Sequence, residues 1–88
     1  MRGKILDEAK TVINGERQDM YGEPEDNFAK IAEFWTTYKG VDFTAHDVAM
    51  MMSLLKVARI ATGAGKRDSY VDLCGYAALA ADMGAVDA

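Results

Sequence analysis

Residues 44–63, "TAHDVAMMMSLLKVARIATG", decide the fold. When successive positions are turned by about 100° around a helix axis, apolar residues fall on most of the circumference, which predicts a helix surrounded by neighbours. This segment is the expected centre of the molecule. Thr44 followed three residues later by Asp47 has the form of a capping box, with the shorter Asp replacing Glu. Gly63 and Gly65 predict the stop. Consecutive methionines point in different directions around a helix, so Met50, Met51 and Met52 are expected to fill core rather than form a soft-metal patch.

Downstream, a helix is expected from about Ser69 to Met83, burying Val71, Cys74, Ala78 and Leu79, with small alanines permitting close approach. Upstream, Pro24 suits a first helical turn, and Glu25 and Asp26 complement the positive end of the helix dipole. Phe28, Ile31, Ala32, Trp35 and Tyr38 then make an apolar stripe that Gly40 ends. The first helix is expected over Gly3 to Asn14, with Ile5, Ala9, Val12 and Ile13 on one face, Leu6 at its edge and Gly15 as the cap. No stretch alternates as a strand would, and neither a repeat nor a linker divides the chain. The expectation is one all-α domain over 1–88, a compact antiparallel bundle of four helices completed by oligomerisation.

Eighty-eight residues leave much surface uncovered, so a homodimer or higher homo-oligomer is expected. A net charge of −4 repels a phosphate backbone, which argues against duplex nucleic acid as a partner. Cys74 is the single cysteine, so there is neither a disulfide framework nor a cysteine-rich zinc site, and a reducing cytoplasm fits best. "MRGKILDEAK" lacks the apolar centre of a signal peptide, and no apolar run approaches the roughly 20 residues that cross a bilayer. No membrane partner is expected.

Several polar residues exceed what a bundle needs. Lys56 and Arg59, three apart with Ser53 just before them, put two cations on the central helix, where they require either an internal carboxylate or a phosphate. Asp68, Asp72 and Tyr76 follow at intervals of four and share a face; the two carboxylates either cap the helix, with Ser69 and Asp72 as a second capping box, or hold Mg2+. Asn27 projects to the same side as Ile31, Phe34 and Tyr38, so its amide is expected to point inward and either support the turn or hold a ligand. His46 fits an exposed or capping role. The connector "ERQDMYGEPEDNF", residues 16–28, contains turn chemistry at Gly22 and Pro24, yet Glu16, Tyr21 and Asn27 flank that turn closely enough to wall a pocket.

The strings E-R-x-x-x-Y-G-x-P-x-x-N-F-x-x-I-A-x-x-W (Glu16 to Trp35), T-x-x-D-V-A-x-M-M (Thr44 to Met52), L-K-x-A-R (Leu55 to Arg59) and D-S-x-V-D-x-x-G-Y-A-A-L (Asp68 to Leu79) resemble a family of small phage and prophage proteins of unsettled function. More remotely, the arrangement resembles the MazG-type all-α nucleotide pyrophosphohydrolases. That resemblance implies helical dimers or tetramers which bind Mg2+ through acidic residues on two helices and cleave nucleoside triphosphates; the phage-type resemblance puts the expected cytoplasm in a bacterial host cell. Asp68-x-x-x-Asp72 stands where such a protein carries an acidic motif, but the companion E-E-x-x-E is missing. The resulting expectation is a nucleotide site with Lys56 and Arg59 on phosphate and Tyr21, Trp35, Tyr76 and Asn27 around base or sugar. Asp68 and Asp72 would hold metal, with Glu16 or Asp72 positioning a water. The alternatives are a protein that sequesters a nucleotide unaltered, such as an immune signal, and a host-directed interaction module.

Overall fold

The computed structural model describes residues 1–15, 23–64 and 66–84. Among the described residues there are four helices: α1 (Arg2–Asn14), α2 (Pro24–Lys39), α3 (Ala45–Ala61) and α4 (Arg67–Met83). Among the described residues there is no strand. The expected boundaries hold except that α1 begins one residue before Gly3 and α4 two residues before Ser69, with Lys66 at its N-cap. Ser69 therefore lies inside the first turn and is buried, so the second capping box does not form.

Local chemistry explains the other boundaries. Gly40 takes the left-handed conformation (φ 70°) that an L side chain resists, and its N–H donates to the Thr36 carbonyl at 2.8 Å to close α2. The Phe43 N–H donates to the Thr36 hydroxyl at 2.9 Å, and the Phe43 ring meets Trp35 edge-on at 5.9 Å, so the turn folds back onto its own helix. The first capping box is present: the Asp47 N–H donates to the Thr44 hydroxyl at 3.1 Å while the Asp47 carboxylate accepts from the Thr44 N–H at 2.9 Å. At the far end of α3, Gly63 (φ 84°) lets Ala64 N–H reach the Arg59 carbonyl at 3.0 Å and Gly63 N–H the Ile60 carbonyl at 3.3 Å, the paired bonds of a Schellman stop.

α3 and α4 form a hairpin and share the most extensive contact; α2 lies mainly on α3, and α1 packs on α4 alone. The core is Phe28, Ala32, Val48, Ala49 and Ala80, flanked by Ile31, Trp35, Met52, Tyr76, Leu79 and Met83. Helix direction departs from the antiparallel expectation. At the start of α4 Arg67 reaches the first half of α1, its Nη1 donating to Met1 Sδ at 3.7 Å and its Nε to Glu8 at 2.7 Å, and further along both helices Ile13 sits against Gly75, so α1 runs parallel to α4. α2 also runs parallel to α4, with Phe28 at Tyr76, but that is what an up-and-down order of α2, α3 and α4 requires, so the departure lies in α1. Only α3 runs the other way.

Gly75 is what lets α1 approach. A Cβ there would stand 3.1 Å from Ile13 Cγ2, tighter than ordinary packing. A glycine in a helix interior costs about 1 kcal/mol against alanine, and the close approach is the compensation. Gly75→Val is expected to push α1 away and destabilise by roughly 1–3 kcal/mol, read as a lower urea midpoint together with faster amide exchange confined to α1.

Three faces differ from expectation. Tyr38 is 86% exposed and Phe34 67%, so the Asn27, Phe34 and Tyr38 side of α2 looks outward, and Asn27 is exposed rather than inward. Among the described residues α3 is covered mainly on one side: Met50 and Met51 are exposed while Met52 alone of the three joins the core. On α4, Val71 is buried, Cys74 and Leu79 half-buried and Ala78 exposed. His46 is half-buried with its ring beside Gly84 at the C-terminal end of α4, where a glycine Cβ would come within 3.0 Å of it.

Candidate functional site

Lys56 and Asp72 are the centre of the polar cluster. Facing each other across the α3–α4 seam, they make an ion pair of 3.0 Å with side chains 17% and 30% exposed. Lys56 thus has an internal carboxylate for company, as one of its two sequence readings requires. One helical turn beyond Asp72, Tyr76 is half-buried and its ring tilts against Phe28 at 6.1 Å. Spacing alone puts Asp72 and Tyr76 together, whereas packing of α2 supplies Phe28, which the sequence marks only as core.

The helix directions bear on the connector. α1 meets α4 at Gly75 through Ile13, and α2 meets it at Tyr76 through Phe28. The chain thus leaves one helix and enters the next at the same level of α4, within a turn of Asp72. Glu16 and Tyr21, proposed as a pocket wall, lie outside the described residues.

The remaining candidates are dispersed. Arg59 is exposed one turn from Lys56, and no ion pair engages it among the described residues. Asp68 is exposed in the first turn of α4, so the two carboxylates expected to share a metal have different surroundings. Among the described residues no group of three or more His, Cys, Asp or Glu side chains is gathered as a metal site. Trp35 belongs to the separate tier with Phe43. Ser53 is buried and donates to the Ala49 carbonyl at 2.9 Å, and among the described residues every buried side-chain polar atom has a partner. Glu33 pairs with Lys30 at 3.0 Å on the surface. An open concavity of about 710 Å3 lies at the α2–α3 turn between Glu33, Thr37, Asp42 and Thr44, and none of the candidate residues lines it.

A profile for the domain of unknown function DUF6378 matches residues 4–84, nearly the whole chain. The chain belongs to the DUF6378 family. It is 45% identical over 80 residues to the Gene 55 protein of Mycobacterium phage L5, covering 90% of this chain and 51% of that protein. To the Gene 55 protein of Mycobacterium phage D29 it is 42% identical over 77 residues, covering 88% and 51%. Both of these relatives are phage proteins, and the chain spans about half their length. No solved structure matches. Among the described residues no helix is long and apolar enough to cross a membrane.

Proposed function

We propose that this DUF6378 domain binds a nucleotide at the α3–α4 seam, its phosphate exchanging with Asp72 for Lys56. The observation that supports this reading is the ion pair itself. A pair withdrawn this far from water is roughly neutral for folding, or worse, compared with apolar side chains of the same size, because desolvation offsets the attraction. Its presence on the best-packed helix interface therefore asks for a role other than stability.

The surroundings suit an anion with an aromatic body. Lys56 is a mobile point charge, Arg59 one turn away offers a planar fork of donors, and Tyr76 with Phe28 gives a ring surface beside them. Binding is better supported than cleavage. A MazG-like reaction needs carboxylates free to hold Mg2+, and Asp72 is engaged by Lys56 while Asp68 stands apart. The reading is thus a protein that captures a nucleotide, with hydrolysis dependent on Glu16 and Asp72 as its enzymatic form.

Thermal unfolding in the presence of the common nucleoside mono-, di- and triphosphates and cyclic dinucleotides, with and without Mg2+, tests it. A ligand at a hundred times its Kd stabilises by about 2.7 kcal/mol. The expected result is a raised Tm with at least one of these, reduced in Arg59→Gln, whose exposed side chain has no ion pair among the described residues to lose. Intact nucleotide recovered after heat release marks capture; pyrophosphate release abolished in Asp72→Asn marks hydrolysis. No shift with any nucleotide sinks the reading. The interaction-module alternative draws on a different observation, the uncovered apolar side of α3.

A further inference from the structure

The open concavity at the α2–α3 turn, about 710 Å3, falls within the size range of ligand sites. It lies between one side of α2 and the turn that folds back on that helix. Ala32 and the half-buried Phe43 close its bottom, while Glu33 and Thr37 line it from α2 and Asp42 and Thr44 from the turn, all four exposed. Ala29, one turn before Glu33 and also exposed, is too small to fill it. From Ala29 to Thr37 the groove follows α2 for about 12 Å, a length that an extended chain spans with about four residues.

Charge around the groove is of one sign. Among the described residues none that lines it is basic, and no ion pair there engages Asp42. Glu33 is paired with Lys30, but both side chains are more than 60% exposed, and such a pair contributes little and exchanges readily. Two further carboxylates add to the field: Asp26, seven residues before Glu33 and so on the same line of α2, and Asp47, which accepts from the Thr44 N–H. The net charge of −4 acts in the same direction at longer range.

We infer that this groove docks an arginine side chain carried on an extended segment of a partner protein. The aliphatic stem lies on Ala29, Ala32 and Phe43, and the guanidinium reaches between Glu33 and Asp42, where its planar fork of donors pairs with carboxylate. The two threonines provide for a peptide backbone. Thr37 Oγ1 donates to the Glu33 carbonyl and keeps lone pairs for an incoming N–H; Thr44 Oγ1 accepts from the Asp47 N–H and keeps its own O–H for an incoming carbonyl. A bare metal ion uses neither the apolar bottom nor these hydroxyls, and among the described residues no group of three or more His, Cys, Asp or Glu is gathered to hold one. The groove shares no residue with the Lys56–Asp72 seam, so the inference stands apart from the nucleotide reading.

The test is titration of the 15N-labelled full chain with an acetylated, amidated hexapeptide of alternating arginine and alanine, followed by amide chemical shifts. Saturable shifts are expected at Ala29 to Thr37 and Asp42 to Ala45, and none with the same peptide carrying citrulline, which is close to arginine in shape but uncharged. Glu33→Gln combined with Asp42→Asn is expected to weaken binding by about tenfold or more, since each removes a charge-assisted hydrogen bond. Ala29→Leu keeps every charge but fills the groove, and is expected to weaken binding by a similar factor. All three positions are exposed, so the variants should keep the wild-type circular dichroism. The inference is overturned if the arginine peptide produces no shifts up to millimolar concentration, if the citrulline peptide binds equally, or if shifts are as large around Asp7 and Glu8 on α1. Undiminished binding to Ala29→Leu overturns it too, because attraction to surface charge alone would then suffice.

Discussion

Phe28→Ala is expected to lower the unfolding free energy by about 3–4 kcal/mol, the usual cost of emptying a buried aromatic position. For a domain this size, with a total stability of roughly 4–13 kcal/mol, that is a large fraction. Three observations make this position the most sensitive. Phe28 is 8% exposed and is the one aromatic ring counted among the buried residues of the core cluster. The other buried members of its cluster are small (Ala32, Val48, Ala49, Ala80), so Phe28 supplies most of the volume at the centre of that cluster. It also joins α2 to α4 through Tyr76, where those helices otherwise touch little. Urea unfolding should show a lowered midpoint with an unchanged slope. Phe34→Ala, at a 67% exposed position of the same helix, should stay within about 0.5 kcal/mol of wild type. Equal costs at the two positions would mean that the inward arc of α2 has been misassigned.

That arc shows where the sequence runs out. α2 carries two overlapping candidate stripes, Phe28–Ile31–Ala32–Trp35–Tyr38 and Asn27–Ile31–Phe34–Tyr38. Both have helical period, and period fixes an angle without saying which angle faces a neighbour. Period alone therefore places Tyr38 and Asn27 inward, where the structure has both exposed. The same limit applies to α3, whose apolar circumference signals burial without saying whether its own chain or another covers it. Start and stop signals fared better because they are local. The Thr44–Asp47 box, Pro24, Gly40 and Gly63 each satisfy a backbone requirement within four residues, and each does so in the structure. Helix direction is non-local: nothing in residues 1–14 dictates that α1 runs parallel to α4 until Gly75 admits Ile13 and Arg67 meets Glu8. At the site, i,i+4 spacing made Asp72 and Tyr76 neighbours on paper, while the choice of Asp72 rather than Asp68 for Lys56 came from the way α3 and α4 align.

Truncating either member of the Lys56–Asp72 pair is expected to cost about 2 kcal/mol. The figure is below the 3–5 kcal/mol of a fully buried pair because water reaches both groups. Lys56→Met leaves the Asp72 carboxylate partly desolvated without a counter-charge, and Asp72→Leu does the same to the Lys56 ammonium. The double variant removes both charges and leaves two apolar chains of suitable length in the α3–α4 seam, so its stability should return to near that of wild type. The coupling energy of the cycle, the change in the double variant less the two single changes, should then be about 4 kcal/mol in magnitude, measured by urea unfolding of all four proteins. This cycle also separates a structural role from a binding one. If the pair serves only to align the two helices, the double variant has lost nothing that folding requires, and any nucleotide that stabilises wild type will stabilise it equally. If Lys56 holds phosphate, the double variant will be folded and stable yet no longer respond to nucleotide, because no cation remains in the seam. A double variant that folds and still binds as wild type would remove Lys56 from the site and leave anion recognition without its central charge.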